Sequence, residues 1–331
     1  MDRRRFLLTS LAGALAMPRA SEAQQPGRMY RIGVLSSGGP DLERSLVASL
    51  RELLRERGWV EGQNLVIELR YANAVYERAP ELMEELIRLR PDVLMTRGGP
   101  VTAAAKLATQ TIPIVMWGVT DPVGRGIVVS LPRPGGNITG LSDDQSPDIV
   151  SKRLQLLQAM VPKVSVVAGL TRVPPTGVPR NTSYERAFED AGKILNLRRR
   201  WFYLSGPEDI EKAFTECVRG GVGALDVLYV PVTWIHRQLI LDLATRNRLP
   251  AVYWHRGYVL DGGLMSYGAD EGEVPKRLAG YVDKILRGAK PTNLPVEQPN
   301  RFELVINLKT AKALGRTIPP SLLAQADQVI E

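Results

Sequence analysis

The sequence predicts an α/β protein of two lobes, each a doubly wound parallel sheet, with a cleft between them. From Tyr30 onward, short apolar runs alternate with amphipathic helical stretches, which is typical of βαβ units. This alternation is interrupted at Pro132–Asn137, a dense run of turn-forming residues, and then restarts. The 331 residues, of which 44% are hydrophobic and 24% charged, are enough for two such lobes.

The first series of predicted elements forms one parallel lobe. Its first helix is indicated by leucines at helical spacing, among them Leu46 and Leu50, and by Gly58 at the position of a C-terminal cap. The predicted strands of this lobe are Ile32–Leu35, Leu65–Tyr71, Asp92–Met95 and Ile112–Trp117. The predicted helices are Leu42–Glu56, Pro80–Leu89 and a third that ends at Gln110.

The second series predicts a lobe of similar size. Its predicted strands are Val164–Leu170, Arg200–Leu204, Val227–Val230 and Pro250–Tyr253. Its predicted helices are Ile149–Met160, Tyr184–Leu195, Ile210–Arg219 and Ile235–Arg246. Ligands of such sheets bind beyond the carboxyl ends of the strands, and clefts between lobes are common binding sites. The loops that follow the strands are therefore the places to look for functional residues.

The first residues have the order of an export signal. A cationic segment, Arg3–Arg5, runs into an apolar stretch, Leu7–Met17, that is too short to span a bilayer as a stable helix. Ser21-Glu22-Ala23 then supplies the small residues of a cleavage site. We expect residues 1–23 to be a signal peptide of twin-arginine-like sequence, cleaved near Ala23, and the mature protein to lie in the periplasm. The competing interpretation is an amphipathic or disordered N-terminus of a cytosolic protein.

The formal net charge of +8 raises the question of nucleic-acid binding. The arginines are scattered, however, and the one tight cluster is Arg198–Arg200, without the interleaved aromatic residues of single-strand-binding motifs. A basic surface suited to an anionic ligand or to the cell envelope is the simpler interpretation. We therefore expect no nucleic-acid partner.

Motifs of catalysis and metal binding are missing from the sequence. It contains no Gly-x-Ser-x-Gly elbow, no His-Glu-x-x-His and no phosphate-binding Gly-Lys-Ser/Thr loop. His236 and His255 are the only histidines and Cys217 is the only cysteine, so no set of metal ligands is visible. We expect a binding protein that is not an enzyme and has no catalytic residue, no cofactor and no metal site.

Two turns of matching sequence are the sharpest candidate for a binding site. Ser36–Pro40 and Thr96–Pro100 each follow a strand and open a helix. Glycine lets a backbone approach a ligand closely, and proline favours the first position of a helix. The two helix N-termini would direct N–H groups into the cleft as a cradle for a carboxylate, unless the turns are ordinary βα connections. The predicted contacts here are Ser36, Ser37, Gly38, Gly98, Gly99, Pro100 and Thr102.

The remaining candidates follow other predicted strands. Thr120 and Asp121 follow the fourth strand, and Asp121 is expected either to accept a hydrogen bond from a ligand amine or to cap the next turn. Trp234 and Tyr258 are candidates for stacking on an apolar or aromatic ligand, with packing inside the lobe as the alternative. The candidate contacts of the second lobe are Thr171, Thr233, Trp234, His255 and Tyr258.

Several long runs of the sequence resemble one known family. The most specific are Trp117–Gly124 and Ser130–Gly140. Further runs with the same resemblance are Gly262–Gly268, Tyr281–Pro291, Leu294–Pro299 and Phe302–Gly315. Together they resemble the substrate-binding proteins of ABC transporters, in particular the group with tryptophan- and tyrosine-binding members, over essentially the whole mature chain.

This resemblance implies a type I periplasmic-binding fold that has three hinge crossings and closes on a small ligand. The implied N-terminal lobe comprises residues 28–141 and 270–290, and the C-terminal lobe comprises residues 142–269 and 291–331. Implied partners are an amino-acid-like or other organic anion and an ABC transporter permease, through which alone the protein would meet the membrane. The family's ligand contacts map onto Ser36, Ser37, Gly98–Thr102, Thr120 and Asp121.

Two loops depart from the family pattern. Thr171–Val178 does not match the asparagine- and proline-rich loop of many relatives, and Tyr253–Arg256 differs from the serine/glutamate loop of the amino-acid-binding members. These departures count against an aromatic amino acid as the ligand. The alternative function is that of a periplasmic ligand sensor for a membrane receptor. A repressor's effector domain shares the fold, but it would need a helix-turn-helix where the export signal lies.

Overall fold

The computed structural model describes residues 27–143, 147–172, 183–228 and 230–331. The predicted signal peptide lies outside the described residues, and so does most of the departing loop after Thr171. Within the described ranges, no helix combines the length and apolar character that a membrane crossing requires.

The chain first builds a series of strands joined by helices. The first helix begins at a proline, has acidic residues in its first turn and a basic residue in its last, and buries Leu46, Leu50 and Leu54 on one face. The elements of this series are β1 (Tyr30–Ser36), α1 (Pro40–Glu56), β2 (Leu65–Tyr71), α2 (Ala79–Arg88), β3 (Val93–Arg97), α3 (Gly99–Ala108), β4 (Ile114–Thr120) and β5 (Ile138–Asp143). A short 3₁₀ turn, Tyr76–Arg78, precedes α2.

The second series repeats the alternation with different sequences. Its elements are α4 (Pro147–Met160), β6 (Val166–Arg172), α5 (Ser183–Ile194), β7 (Arg198–Leu204), α6 (Pro207–Arg219), β8 (Ala224–Val227), α7 (Pro231–Ile235), α8 (Arg237–Arg246), β9 (Ala251–Tyr253), α9 (Arg256–Leu260) and β10 (Met265–Ala269). The last part of the chain contributes α10 (Val274–Leu286), β11 (Val296–Glu297), β12 (Phe302–Asn307), α11 (Leu308–Ala313), α12 (Pro320–Leu323) and β13 (Gln328–Ile330).

These strands form two separate sheets. The first has the order β11-β5-β4-β3-β1-β2 and the second has the order β13-β12-β10-β9-β8-β6-β7. The pairs are parallel except between β10 and β12. In the first sheet β1 pairs with both β2 and β3, and in the second β6 pairs with both β7 and β8. Each sheet thus has a switch point, the kind of place where doubly wound sheets bind ligands.

Each sheet is covered by helices on both faces. In the first lobe, α1 and α10 pack on one face, and α2 and α3 pack on the other. In the second lobe, α4 and α5 cover one face, and α6 and α8 cover the other. The near-continuous burial of strands such as β3 follows from this double cover, because residues on both sides of the strand face a helix layer.

The chain passes between the sheets three times. It leaves the first sheet after β5, returns after β10 for helix α10 and strand β11, and leaves again before β12. The second and third crossings run side by side, because the Asp270 N–H donates to the Arg301 carbonyl at 3.0 Å and the two side chains form an ion pair at 3.4 Å. Three adjacent crossings of this kind are a hinge about which two lobes can rotate.

The predicted fold class is confirmed, with differences in individual elements. The turn at Pro132–Asn137 is followed by another strand, β5, before the chain crosses. Residues 291–297, expected in the second lobe, remain with the first, because Val296 pairs with Gly140 of β5 and its N–H donates to the Leu131 carbonyl at 2.7 Å. The strand predicted at Val227–Val230 instead comprises Ala224–Val227.

Candidate functional site

The two matching turns lie side by side at the carboxyl edge of the first sheet. Because β1 and β3 are neighbours, the Ser37 N–H donates to the Arg97 carbonyl at 3.0 Å. Gly98 has a φ of 97°, and a Cβ at this position would collide with the Ser37 hydroxyl. Only glycine fits such a position without strain, so the contact between the turns depends on Gly98.

The α1 turn is filled by its own side chains. The Gly38 N–H donates to the Ser36 hydroxyl at 3.0 Å, and this hydroxyl donates to Glu43 at 2.6 Å. Glu43 is fully buried and faces Arg97 at 3.5 Å. The Ser36 side chain and the Ser37 and Gly38 N–H groups, all predicted as ligand contacts, are therefore engaged within the protein. A buried carboxylate beside this helix start also makes it a poor site for an anion.

The α3 turn is built differently. Gly99 and Pro100 are half-buried, whereas Gly38 and Gly39 are buried, and the first turn of α3 contains no acidic residue. The Thr102 hydroxyl is buried and bonds to the Gly98 carbonyl and to Thr96, both at 2.9 Å. Thr102 therefore stabilises the turn from inside. It was predicted to be a ligand contact, but its hydroxyl is not available to a ligand in the cleft. The backbone at Gly99 is the accessible part of this helix start.

The loop after β4 adds a cation that the sequence analysis did not single out. The Arg125 Nε donates to the Thr120 carbonyl at 2.8 Å, and a Cβ on Gly99 would lie 3.7 Å from the Arg125 guanidinium. Asp121 caps the same loop, since its carboxylate accepts from the Gly124 N–H at 2.9 Å. Of the two roles expected for Asp121, the structure shows the cap. Arg125 thus lies beside the start of α3.

The second lobe brings another cation to the first. Arg172 ends β6, the strand at the switch point of the second sheet, and its guanidinium lies 4.9 Å from the centre of the Tyr76 ring in the first lobe. Burial, and then the positive charge of Arg172, lower the pKa of Arg125. Thr171, the predicted contact, is the buried neighbour of Arg172 in β6.

The aromatic candidates belong mainly to the core of the second lobe. Tyr258 is fully buried and stacks on Tyr253 with ring centres 4.6 Å apart, so it packs inside the lobe. Trp234 packs against Tyr258 and beneath the guanidinium of Arg237. For both residues the structure shows the packing alternative.

Two polar candidates of the second lobe hold the backbone. Thr233 is fully buried, and its hydroxyl donates to the Leu228 and Val230 carbonyls at 2.9 and 2.8 Å. His255 accepts from the Gly257 N–H at 3.0 Å and so caps α9. Thr233 is therefore a structural residue in this arrangement, whereas half-buried His255 lies in the loop between β9 and α9.

The lobes touch across the cleft. Leu42 of α1 and Ala74, which follows β2, pack against the apolar cluster of the second lobe that contains Val232 and Trp234. Together with the Tyr76–Arg172 contact, this packing shows that the structure has its two lobes closed upon each other.

A cavity of about 120 Å³ lies on the hinge side of the first sheet. It is lined by the three crossings, through residues such as Ser142, Ala269 and Asn300, and by Trp117 of β4 and Arg277 of α10. None of the predicted ligand contacts lines this cavity. It is therefore distinct from the group of strand-end loops described above.

Two lobes, three adjacent crossings and facing strand-end loops define a two-lobed ligand-binding protein of the type I periplasmic-binding kind. The family comparison is more specific. Residues 40–330 match the model of the ABC transporter substrate binding protein family, so the chain belongs to that family. It is a family of substrate-binding proteins and not of enzymes.

Comparisons with individual proteins agree with this assignment. The chain is 28% identical to the tyrosine-binding protein of Clostridioides difficile over 284 residues. This alignment covers 83% of this chain and 77% of that protein. A conserved domain protein of Vibrio cholerae has a similar structure, with a TM-score of 0.83 and 26% identity over 91% of this chain and 100% of that one. A Streptococcus pneumoniae ABC domain in complex with L-Trp has a TM-score of 0.81 and 24% identity, with the same coverage.

Proposed function

We propose that this chain is the periplasmic receptor of an ABC importer, which captures a small carboxylate-bearing ligand between its lobes and delivers it to a permease. The observation that carries the proposal is the meeting of the two switch points. Arg172, at the end of β6, contacts Tyr76, which follows β2 in the same sheet as the turns after β1 and β3. Ligand sites of doubly wound sheets occur at such places, and here two of them share one cleft.

Delivery requires that the bound and free forms differ in shape. The three crossings allow a rigid rotation of the lobes, and the interlobe contacts of Leu42, Ala74 and Tyr76 would be broken in an open form. A ligand shifts this equilibrium only by as much as it binds the closed form more tightly. Contacts to both lobes provide that difference, so a ligand held between the α3 turn and the end of β6 would close the protein.

The proposed ligand is amino-acid-like, with its carboxylate at the start of α3. Support comes from the half-buried Gly99 backbone at a helix N-terminus and from the guanidinium of Arg125 beside it. Two relatives support the amino-acid character of the ligand: the tyrosine-binding protein of Clostridioides difficile and the Streptococcus pneumoniae domain in complex with L-Trp. The part of the ligand beyond the carboxylate would meet the second lobe near Thr171 and His255, where the sequence departs from the family pattern.

Ligand identification is the first test of this proposal. The protein would be purified from its periplasmic source, its intact mass measured, and any co-purifying molecule released and identified by mass spectrometry. We expect a mature N-terminus close to Gln24, and a small carboxylate that raises the melting temperature on re-addition and is recovered unchanged. Conversion of the molecule to a product would contradict a binding function.

Uptake measurements separate the two possible partners. Deletion of the gene should abolish uptake of the radiolabelled ligand, and complementation with the wild-type chain should restore it. If uptake is unchanged and a membrane receptor loses its response to the ligand, the chain is a sensor and the importer role is wrong.

A further inference from the structure

We propose that the hinge cavity, which is lined by Trp117, Arg277 and the three crossings, is a second binding site of this protein. It takes a small uncharged molecule with an apolar ring and a hydrogen-bond acceptor. Such a molecule favours the lobe angle at which it fits, so its binding is coupled to that of the ligand in the cleft. Only this coupling rests on the proposed function, because the site itself lies within the hinge.

The hinge cavity is large enough for a small ring compound. Its volume is about 120 Å³, and an engineered protein cavity of ~150 Å³ holds a benzene molecule. Protein interiors otherwise contain few voids larger than a single water molecule. The volume therefore limits an occupant to a single ring with one small substituent, such as a phenol.

The inner wall of the cavity is apolar and carries a donor without a partner. Trp117 and Leu141 line this wall and are only 3% and 6% exposed. The Trp117 Nε1–H group is buried and, in the part of the chain that the structure describes, has no hydrogen-bond partner. Buried donors are nearly always paired, so an acceptor atom of an occupant beside the indole supplies the missing bond.

The cationic side chains at the cavity already have partners within the protein. Among the described residues, each arginine that lines the cavity forms an ion pair with a carboxylate. These pairs are Arg97–Glu43, Arg277–Glu297 and Arg301–Asp270, at 3.5, 3.0 and 3.4 Å. A charged occupant would have to displace one of these partners or lie without a counter-charge, which is costly away from water. An uncharged occupant leaves the pairs intact.

The position of the cavity links its occupancy to the lobe angle. One side is formed by the first lobe, through Trp117 and Arg277, and the other by the crossings, through residues such as Ser142, Asp270 and Asn300. Because hinge segments absorb the rotation of two lobes, the shape of a cavity between them changes with the angle. The cavity is present with the lobes closed, so an occupant that fits it binds the closed form more tightly and shifts the equilibrium toward closure.

The test uses ligand-free protein, prepared by unfolding and refolding, with three probes of similar size. Phenol is uncharged and has an acceptor, toluene has the same shape without an acceptor, and benzylamine is a cation at neutral pH. The indole N–H signals of the five tryptophans are followed by NMR in ¹⁵N-labelled protein, and Trp117→Phe identifies the Trp117 signal. We expect phenol to move this signal in a saturable way. Toluene should need an at least about threefold higher concentration, the effect of one hydrogen bond, and benzylamine should leave the signal in place.

A matched pair of variants separates the hinge cavity from general effects of the probes. Ala269 is half-buried and lines the cavity, so Ala269→Met fills it and should abolish the response of the Trp117 signal to phenol. Ala289 is also half-buried but does not line the cavity, so Ala289→Met should keep the response. Melting temperatures provide a measurement that needs no indole signal. In Trp117→Phe, phenol and toluene should become equally effective, because the donor that distinguishes them is gone.

Small-angle scattering tests the coupling to closure. Ligand-free wild-type protein should become more compact in saturating phenol, because the occupied cavity favours the closed form. Ala289→Met should respond in the same way, whereas Ala269→Met should not. Movement of the Trp117 signal without a change in compactness would contradict the coupling.

Three results would overturn the site: an unmoved Trp117 signal in phenol, an equal movement in Ala269→Met, or an equal response to benzylamine. Each can be distinguished from failure of the proposed function, since these measurements use phenol and ligand-free protein, whereas uptake and ligand identification use the ligand of the cleft. A receptor whose uptake activity is confirmed, and whose Trp117 signal ignores phenol, would be an importer component without a hinge site.

Discussion

The starts of α1 and α3 have nearly the same local sequence, but the charged side chains around them are of opposite sign. Both turns place two glycines before a proline at the carboxyl end of a central strand. At α1, Ser36, Glu43 and Arg97 fill the turn with hydrogen bonds and a buried ion pair. At α3, the turn is held from inside by Thr102, and Gly99 is left beside Arg125.

The difference shows that a glycine-rich helix start does not by itself define an anion site. The N–H groups and the helix dipole are similar in both turns, but buried Glu43 adds a negative charge near α1, whereas Arg125 adds a positive one near α3. Residues outside the motif thus decide which turn can receive a carboxylate.

Glu43→Ala should have the largest effect on stability. It breaks the buried ion pair with Arg97 and removes the acceptor of the Ser36 hydroxyl, so the free energy of unfolding should fall by about 3–5 kcal/mol. Urea denaturation measures this change, and Glu52→Ala, at an exposed position of the same helix, is the control. The ligand affinity of the folded fraction should remain within about threefold of wild type, because the loss of even one hydrogen bond to the ligand would change the affinity by more than about threefold. A loss of less than about 1 kcal/mol would show that the α1 network is not structural.

Gly98→Val should come next. A β-branched residue at a φ of 97° is strained, and its side chain would collide with Ser37, so we expect a loss of about 3 kcal/mol in unfolding free energy. Gly126→Val, at a positive φ in open space, carries the backbone strain without the collision and should lose less. Equal losses in the two variants would mean that the contact between the matched turns contributes nothing.

Thr102→Val should have a smaller effect. It keeps the shape and removes the bonds of the hydroxyl to Gly98 and Thr96, which should cost about 1 kcal/mol in stability. Ligand affinity should change little, because this hydroxyl is engaged inside the turn. Calorimetric titration with the identified ligand decides the point, and a loss of affinity larger than the loss of stability would return Thr102 to the list of ligand contacts.

Asp121→Ala should give the smallest effect on stability, about 0.5–1 kcal/mol, because it removes the one hydrogen bond by which the carboxylate caps the loop at the Gly124 N–H. Its effect on binding depends on the ligand. An amine-bearing ligand should bind more weakly to this variant, whereas acetate should bind at least as well as to the wild type. Weaker acetate binding would contradict the placement of Asp121 beside the anion.

The sequence predicted the fold well where periodicity decides it. Strand β2 has the predicted bounds, and α1 and α2 begin within two residues of their predicted starts, because apolar spacing and glycine or proline positions mark such elements. Strand β5 was missed because it follows a run of turn residues. The third crossing was placed too early, since the pairing of β11 with β5 is a long-range contact that no local pattern encodes.

The site was predictable only in part. The strand-end turns followed from sequence, and the structure brings them together. Arg125, Arg172 and Tyr76 were not found, because their positions depend on a loop conformation and on the closure of two lobes. The engagement of Ser36 by Glu43 was equally hidden, although a carboxylate on the apolar face of α1, next to Leu46 and Val47, was a signal that could have suggested an internal partner.

We propose that the ligand's carboxylate lies at the start of α3 and not at the start of α1. Gly39 and Gly99 occupy the same position in the two turns, and neither has a positive φ. A Cβ on Gly99 would lie 3.7 Å from Arg125, and one on Gly39 would lie 2.9 Å from the Asn73 side chain.

Calorimetric titration of the Gly99→Val and Gly39→Val variants with the identified ligand tests this claim most directly. We expect Gly99→Val to weaken binding at least about tenfold, because its side chain blocks the approach of the ligand to the helix start and to Arg125. Gly39→Val should lose stability and keep the affinity within about threefold. Equal affinity losses, or a greater loss at Gly39, would contradict the assignment of the carboxylate to α3.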